Sequence, residues 1–109
     1  MQGEALKGHL ELLLLATLAD APAHGYAVIE RLHARSGGRF NLPEGTVYPA
    51  LHRLERLGLL ASHWSSEPSG RPRRLYALTA AGRAALAQRT NAWQAFVAGV
   101  SGIVGDAHA

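Results

Sequence analysis

The stretch from Glu44 to Leu57 carries the side chains with the most evident chemistry in this sequence. Its apolar residues recur at helical spacing and form one stripe. The opposite side of that helix carries polar, aromatic and basic groups: Gly45, Tyr48, Pro49, His52 and Arg56, with Thr46 and Arg53 at its flanks. Tyr48 and His52 can form hydrogen bonds with base edges, while Pro49 and the methyl group of Thr46 can contact thymine methyls. The pattern favours a helix face that enters a DNA groove.

Arginine supplies almost all of the positive charge. The formal net charge is +3, the isoelectric point is near 10, and Lys7 is the only lysine. Arg53 and Arg56 can hold phosphates or guanine, because the planar guanidinium binds both in bidentate fashion. Two plainer explanations stay open at this point: a genome rich in G and C that prefers arginine codons, and an ordinary solvated helix face. The placement of the arginines must decide between them.

A second basic group follows the helix closely. Arg71, Arg73 and Arg74 lie beside Gly70 in a loop that is long for a simple hairpin. Such a loop suits the minor groove or the flanking DNA backbone. Alternatively, its charge only protects an exposed hairpin from aggregation. A basic helix face followed directly by a basic two-stranded wing is typical of the winged helix-turn-helix, and this combination favours double-stranded DNA as the partner.

Metal binding and catalysis find little support. The sequence has six histidines and no cysteine. No histidine pair has ligand spacing with a carboxylate on the same helix face, and no nucleophile elbow, phosphate loop or pair of catalytic carboxylates is evident. We therefore expect no metal, no cofactor and no enzymatic activity.

Three short helices precede the wing. Helical patterns run from Leu6 to Leu18, from His24 to Arg35 and from Glu44 to Leu57. A proline is tolerated only in the first turn, so the third helix either starts near Gly45 or bends at Pro49. Three such helices, the third amphipathic, predict a tri-helical DNA-binding core.

Strands and a final helix complete the pattern. Side chains alternate from Leu60 to Trp64 and again from Arg74 to Leu78, around a turn-forming segment, which predicts a two-stranded hairpin. Thr79 is a favourable N-cap for a last helix that reaches about Val104. The predicted fold is therefore mainly α with a small β-hairpin: a winged helix-turn-helix plus a C-terminal dimerisation helix.

The last helix carries an apolar seam that the small domain does not need for its own core. Apolar side chains recur along it near heptad spacing: Leu86, Trp93 and Val100, with Phe96 and Ile103 between them. Arg89 interrupts this seam. Because the small domain is complete before this helix begins, the seam predicts a homodimer, with help from the leucines between Leu10 and Leu18.

The length fits one compact unit. We assign residues 1–78 to the DNA-binding domain and residues 79–109 to the dimerisation helix. The apolar run from Leu12 to Leu18 is too short to cross a bilayer, and no signal peptide is apparent ahead of it. A cytoplasmic protein without membrane contact is expected.

Several blocks, in this order, resemble the PadR family of bacterial regulators: HGYAVIERL, LPEGTVYPALHRLERLGLL and GRPRRLYALTAAGRAAL. The resemblance covers nearly the whole chain. It implies a winged helix-turn-helix with a C-terminal dimerisation helix, usually a repressor released from its operator by a small molecule. Residues carried over by this resemblance are Thr46, Tyr48, Pro49 and Arg53 on the recognition helix and Arg73, Arg74 and Tyr76 on the wing.

The short C-terminus resembles the compact members of that family. In those relatives a helix tryptophan faces its symmetry mate, and Trp93 falls at that position. The resemblance implies a flat aromatic or cationic effector there, with Phe96 and Val97 one turn away. Simple interface packing by Trp93 is the alternative. A rival to the whole interpretation is a protein-interaction module with an incidental basic face.

Overall fold

The computed structural model describes residues 8–66 and 71–105, which form four helices and three strands. In chain order these elements are α1 (Leu10–Thr17), β1 (Ala23–His24), α2 (Gly25–Arg35), α3 (Glu44–Arg56), β2 (Leu60–Ser66), β3 (Pro72–Leu78) and α4 (Ala80–Val104). The predicted class is confirmed: the protein is mainly helical, with a small antiparallel sheet and one long C-terminal helix.

The helix boundaries agree closely with the prediction. Helix α1 begins at Leu10, and the predicted start at Leu6 lies outside the described residues. Helix α3 begins at Glu44, which corresponds to the predicted alternative of a start near Gly45. Pro49 nevertheless lies inside α3 and cannot donate to the carbonyl of Gly45. Both residues are exposed, so water can reach that carbonyl.

The hydrophobic core lies between the first three helices and the sheet. Its buried side chains are Leu14, Leu15, Leu18, Ala23, Val28, Leu32, Val47, Ala50, Leu51, Leu54, Leu60 and Tyr76. The predicted stripe of α3 thus faces the core, with one correction. Leu57 is 59% exposed and forms the C-cap of α3, beyond the last buried turn of the stripe.

The sheet has a third strand that the sequence did not predict. The strand order is β1-β3-β2, with all pairs antiparallel. The predicted hairpin runs from the pair Leu60 and Leu78 to the pair Ser66 and Pro72. Strand β1 contains only two residues, too few to show an alternating pattern. The predicted wing tip at residues 67–70 lies outside the described part of the chain.

Helix α4 contacts the rest of the domain along its first half, as far as Trp93. Thr79 caps it as predicted, since its side chain accepts a hydrogen bond of 3.0 Å from the Gly82 amide. Leu86 packs against the core of its own chain, which corrects its assignment to the intermolecular seam. Every residue from 91 to 105 is exposed. The molecule is consequently elongated, with extents of 53 × 28 × 21 Å.

Candidate nucleic-acid interface

A cleft of about 440 Å³ separates helix α3 from the wing, the hairpin formed by β2 and β3. Its lining groups are predominantly aromatic and basic: His24, Gly25, Tyr26, Tyr48, His52, Trp64, Arg71, Pro72, Arg73, Arg74 and Tyr76. Among these described lining residues there is no carboxylate. A groove lined by cations and ring faces suits a polyanion with planar bases.

Tyr48 is held in this cleft by a glycine on the neighbouring helix. Gly25 is buried at the first position of α2. An ideal Cβ at residue 25 would lie 2.7 Å from Tyr48 Cζ and 3.0 Å from its hydroxyl oxygen, and closer still to Cε1. The tyrosine ring therefore lies directly against the α2 backbone. Only glycine leaves room for this arrangement, so the HGY segment positions a predicted reading residue.

The predicted residues of α3 divide between two edges of the helix. His52 lies in the cleft beside Tyr48, and their neighbours Pro49 and Arg56 are exposed on the same outer face. Arg53 points to the opposite edge, where its Nε lies 3.3 Å from Glu11 Oε2. The structure thus brings Tyr48 and His52 together and separates Arg53 from them.

Thr46 is exposed on the outer surface of α3. On a helical wheel it lies on the same edge as Arg53, which is away from the cleft. Its methyl group is accessible there to a partner that approaches the outer face of the helix.

The wing arginines are also in different environments. Arg71 and Arg73 are exposed at the mouth of the cleft. Arg74 is only partly exposed: its Nε donates a 2.9 Å hydrogen bond to Ser62 Oγ, and its guanidinium lies 5.2 Å from the centre of the Trp64 ring. Two of the three predicted wing contacts are therefore free to meet a partner, and the third is engaged within the protein.

Tyr76 is corrected from a wing contact to a core residue. Its side chain is 1% exposed and forms the floor of the cleft. Burial raises the pKa of its hydroxyl above the ordinary value of 10.0, and the carboxylate of Glu55 acts in the same direction. The buried ring lies beside His52 of α3 and is not accessible at the protein surface.

Three aromatic groups of the cleft were missed by the sequence analysis. Tyr26 and Trp64 are 53% and 64% exposed, and the Nδ1 atom of His24 lies 3.2 Å from the Arg74 carbonyl oxygen. Strand β1 brings His24 beside β3, and that pairing had no signal in the sequence. The adjacency of Trp64 and Arg74 was visible only once the hairpin register was known.

A second cavity, of about 410 Å³, lies on the other edge of α3, between α1 and α4. His9 and Trp93 meet edge to face with ring centres 4.9 Å apart, and Phe96 lies 6.0 Å from Trp93. Glu11 joins the two sides, because its carboxylate also lies 3.0 Å from Arg89 Nη2. Of the predicted effector residues, Trp93 and Phe96 line this cavity; Val97 is not among its lining residues.

Helix α4 exposes an apolar surface beyond this cavity, hereafter the α4 face. Its exposed members are Trp93, Phe96, Val97, Val100, Ile103 and Val104. Exposed fractions reach 87% for Ile103. A contiguous apolar surface of this kind on a small protein marks an interaction site.

The described residues form neither a metal-binding cluster nor a membrane-spanning helix. Within residues 8–66 and 71–105, no three histidine or acidic side chains lie together in a way that could hold a metal ion. No helix in the same ranges combines the length and apolarity needed to span a membrane.

Residues 14–88 match the Transcriptional regulator PadR-like family. The chain is 41% identical over 85 residues to the transcriptional regulator Rv3488 of Mycobacterium tuberculosis, covering 78% of this chain and 76% of that protein. A solved PadR family regulator from Eggerthella lenta is 35% identical, with a TM-score of 0.79 over 93% of this chain and 86% of that one. A transcriptional regulator from Clostridium thermocellum shares the fold, with a TM-score of 0.84, 22% identity and coverage of 93% and 98%.

Proposed function

Because the chain belongs to the PadR-like family of transcriptional regulators, we propose that it is a homodimeric repressor that reads a palindromic operator. The observation that carries this proposal is the cleft between α3 and the wing, where Tyr48 and His52 face Arg71 and Arg73. Such a protein works in the cytoplasm, where the DNA is.

In this proposal α3 enters the major groove of each half-site. Tyr48 and His52 form hydrogen bonds with base edges, and Pro49 contacts a thymine methyl. Arg71 and Arg73 hold the adjacent backbone or reach into the minor groove. These side chains line one cleft or its outer edge, which supports their action as a single surface.

The outer flank of α3 adds phosphate contacts. Arg56 is exposed at the end of the reading face, and Thr46 lies at its other end. The side chain of Arg53 is 48% exposed and pairs with Glu11 in the free protein. An exposed ion pair of this kind is worth little, so Arg53 can exchange the carboxylate for a DNA phosphate.

The α4 face supports the homodimer. Leu14 and Leu15 of α1, and Leu18 directly after it, are buried in the core of their own chain, whereas Leu10 and Leu13 remain partly exposed. The partner subunit would therefore cover the α4 face and the outer side of α1. A two-fold axis then requires half-sites whose centres are about 10 base pairs apart, or a multiple of that distance.

An effector site at Trp93 completes the proposal. A flat aromatic or cationic compound would lie between the two Trp93 rings of the dimer, near Phe96 and Val97. The cavity already bounded by His9 and Trp93 in one subunit supports space for such a ligand. The compound regulates DNA binding only if it favours one separation of the two α3 helices.

The effector is tested with the Trp64→Phe variant, which leaves Trp93 as the sole tryptophan. Titration with planar dyes and phenolic compounds should quench its fluorescence and release the DNA together. Quenching without any change in DNA affinity would leave a pocket that does not regulate. No quenching by any compound would restrict Trp93 to interface packing.

DNA binding itself is tested by selecting fragments of the source genome that the purified protein retains. We expect palindromic fragments whose affinity falls steeply as salt increases. If the protein is instead a protein-interaction module, DNA retention should be weak and unselective. A different protein would then cover the α4 face. Sedimentation of the purified chain separates these cases, since the rival does not need a homodimer.

A further inference from the structure

One polar network ties the wing to the reading helix. Ser62 Oγ donates a 2.6 Å hydrogen bond to Glu55 Oε2 and accepts a 2.9 Å hydrogen bond from Arg74 Nε. Arg74 Nη2 lies 3.7 Å from the same Glu55 oxygen. Ser62 of β2 and Arg74 of β3 thus converge on one carboxylate oxygen of Glu55 in α3.

The surroundings of this network shield it partly from water. The Trp64 side chain covers the guanidinium of Arg74 at 5.2 Å, and the two residues are direct cross-strand partners. The Glu55 side chain is 28% exposed and that of Arg74 is 39% exposed. Partial shielding from water strengthens charge-assisted hydrogen bonds and keeps long side chains in a single geometry.

Glu55 is also the acidic residue of α3 that lies nearest to the wing strands. An acidic group at the edge of a DNA-binding surface repels phosphates, so its presence there has an electrostatic cost. That cost is explained if the carboxylate has a mechanical role in the free and bound protein alike.

We propose that Glu55 is a positioning residue that sets the angle between α3 and the wing through Ser62 and Arg74. This rests on the proposed DNA-binding function. Glu55 thereby sets the distance between the bases read by Tyr48 and the flanking backbone held by Arg73. Arg74 acts within the protein as a strut and does not contact DNA.

In the competing assignment, Arg74 contacts a DNA phosphate in the complex. Glu55 then only pairs with Arg74 while DNA is absent. The two assignments predict opposite signs. If Glu55 competes with phosphate, removing its charge tightens binding to any duplex. If Glu55 positions the wing, removing it weakens binding to the operator and leaves random DNA unaffected or slightly favoured.

The test uses a duplex selected from a random pool by the wild-type protein and an unselected duplex of equal length. We expect Glu55→Ala to lose about tenfold in affinity for the selected duplex. Hydroxyl-radical footprints should lose protection at the flanks, where the wing lies, and keep it at the centre of each half-site. Glu30→Gln is the charge-matched control, because Glu30 is exposed on α2 and takes no part in the hydrogen bonds of the network.

Arg74→Lys separates the two assignments again. Lysine keeps the charge needed for a phosphate but loses the planar fork and the stacking on Trp64. If Arg74 is a strut, Arg74→Lys should lose affinity for the selected duplex as Glu55→Ala does. The Glu55→Ala, Arg74→Ala double variant should then bind that duplex no more weakly than either single variant. Glu55→Gln, which keeps an acceptor for Ser62, should lie between wild type and Glu55→Ala and guards against loss of folding.

Several results would overturn the proposal. These are tighter or unchanged binding of the selected duplex by Glu55→Ala and Glu55→Gln, an intact flank footprint, or wild-type behaviour of Arg74→Lys. Failure of the wild-type protein to select or bind any duplex is a different outcome, because it removes the proposed function itself.

Discussion

Gly25→Ala should remove sequence reading by Tyr48 while leaving the protein folded. The added Cβ would lie 2.7 Å from Tyr48 Cζ, whereas carbon atoms in contact are separated by about 3.5 Å or more. Since Cε1 is closer still, the ring must retreat by at least about 0.8 Å or change rotamer, at a cost of about 0.5 to 1.5 kcal/mol. A hydrogen bond to a base edge tolerates a displacement of only about 0.5 Å. The readout by Tyr48 should fail as a result.

The expected loss on a selected operator is about 10- to 100-fold, which corresponds to about 1.4 to 2.8 kcal/mol. Binding of random DNA should change by no more than about twofold, because phosphate contacts do not depend on this ring. The fold should survive, since alanine is the better helix former by up to about 1 kcal/mol. Fluorescence anisotropy on both duplexes, with thermal unfolding as a check, provides the measurement.

The control is a double-mutant cycle with Tyr48→Ala. In that background the clash has no partner, so Gly25→Ala should cost nothing further on the operator. An equal loss in both backgrounds would show that the glycine acts through the backbone of α2 and not through the tyrosine. Unchanged operator binding in the single variant would refute the steric reasoning altogether.

Three further predictions concern the wing, the reading face and the dimer. Changing Arg71 and Arg73 together to alanine should weaken all duplexes alike and make the salt dependence of binding shallower by about one to two units per subunit; an unchanged slope would remove the wing tip from the interface. His52→Ala should cost about 1 to 3 kcal/mol on the operator in titrations and little on random DNA; equal losses would make it a positioning contact. Phe96→Asp should convert a dimer to monomers in sedimentation equilibrium, because it buries a charge in the α4 face; a wild-type monomer would contradict the proposed assembly.

Patterns that depend on one element alone were predictable from the sequence. The stripe of α3 with Val47 and Leu54 needs only helical periodicity, and the cap at Thr79 needs only local chemistry. Both agree with the structure. The predicted outward-facing residues of α3 are exposed, except Tyr48, which is half-buried against the backbone of α2.

Features that depend on how elements meet were not predictable. Strand β1 forms only because β3 presents an unpaired edge to Ala23 and His24. Arg74 and Tyr76 both lie on β3, one of the two wing strands. Packing nevertheless buries Tyr76 in the core and directs Arg74 towards Glu55. Leu86 has the heptad spacing of an intermolecular contact but lies where α4 still crosses its own domain. Spacing fixes a residue's face, and tertiary structure decides what covers that face.

The attachment of α4 turns a long helix into a lever. The Thr79 hydroxyl donates a 2.7 Å hydrogen bond to the Gly58 carbonyl, and its amide donates one of 3.2 Å to Leu59, so the helix is bound to the turn that follows α3. Arg89 also pairs with Glu11 of α1, and Trp93 contacts His9, so α4, about 37 Å long, moves together with its domain. In the proposed dimer, a tilt of about 5° between two α4 helices that meet near their far ends would displace the other end of each helix by about 3 Å, close to the rise of one base pair. Small shifts where the two α4 helices meet would then move the two α3 helices relative to each other by a distance comparable to one base-pair step.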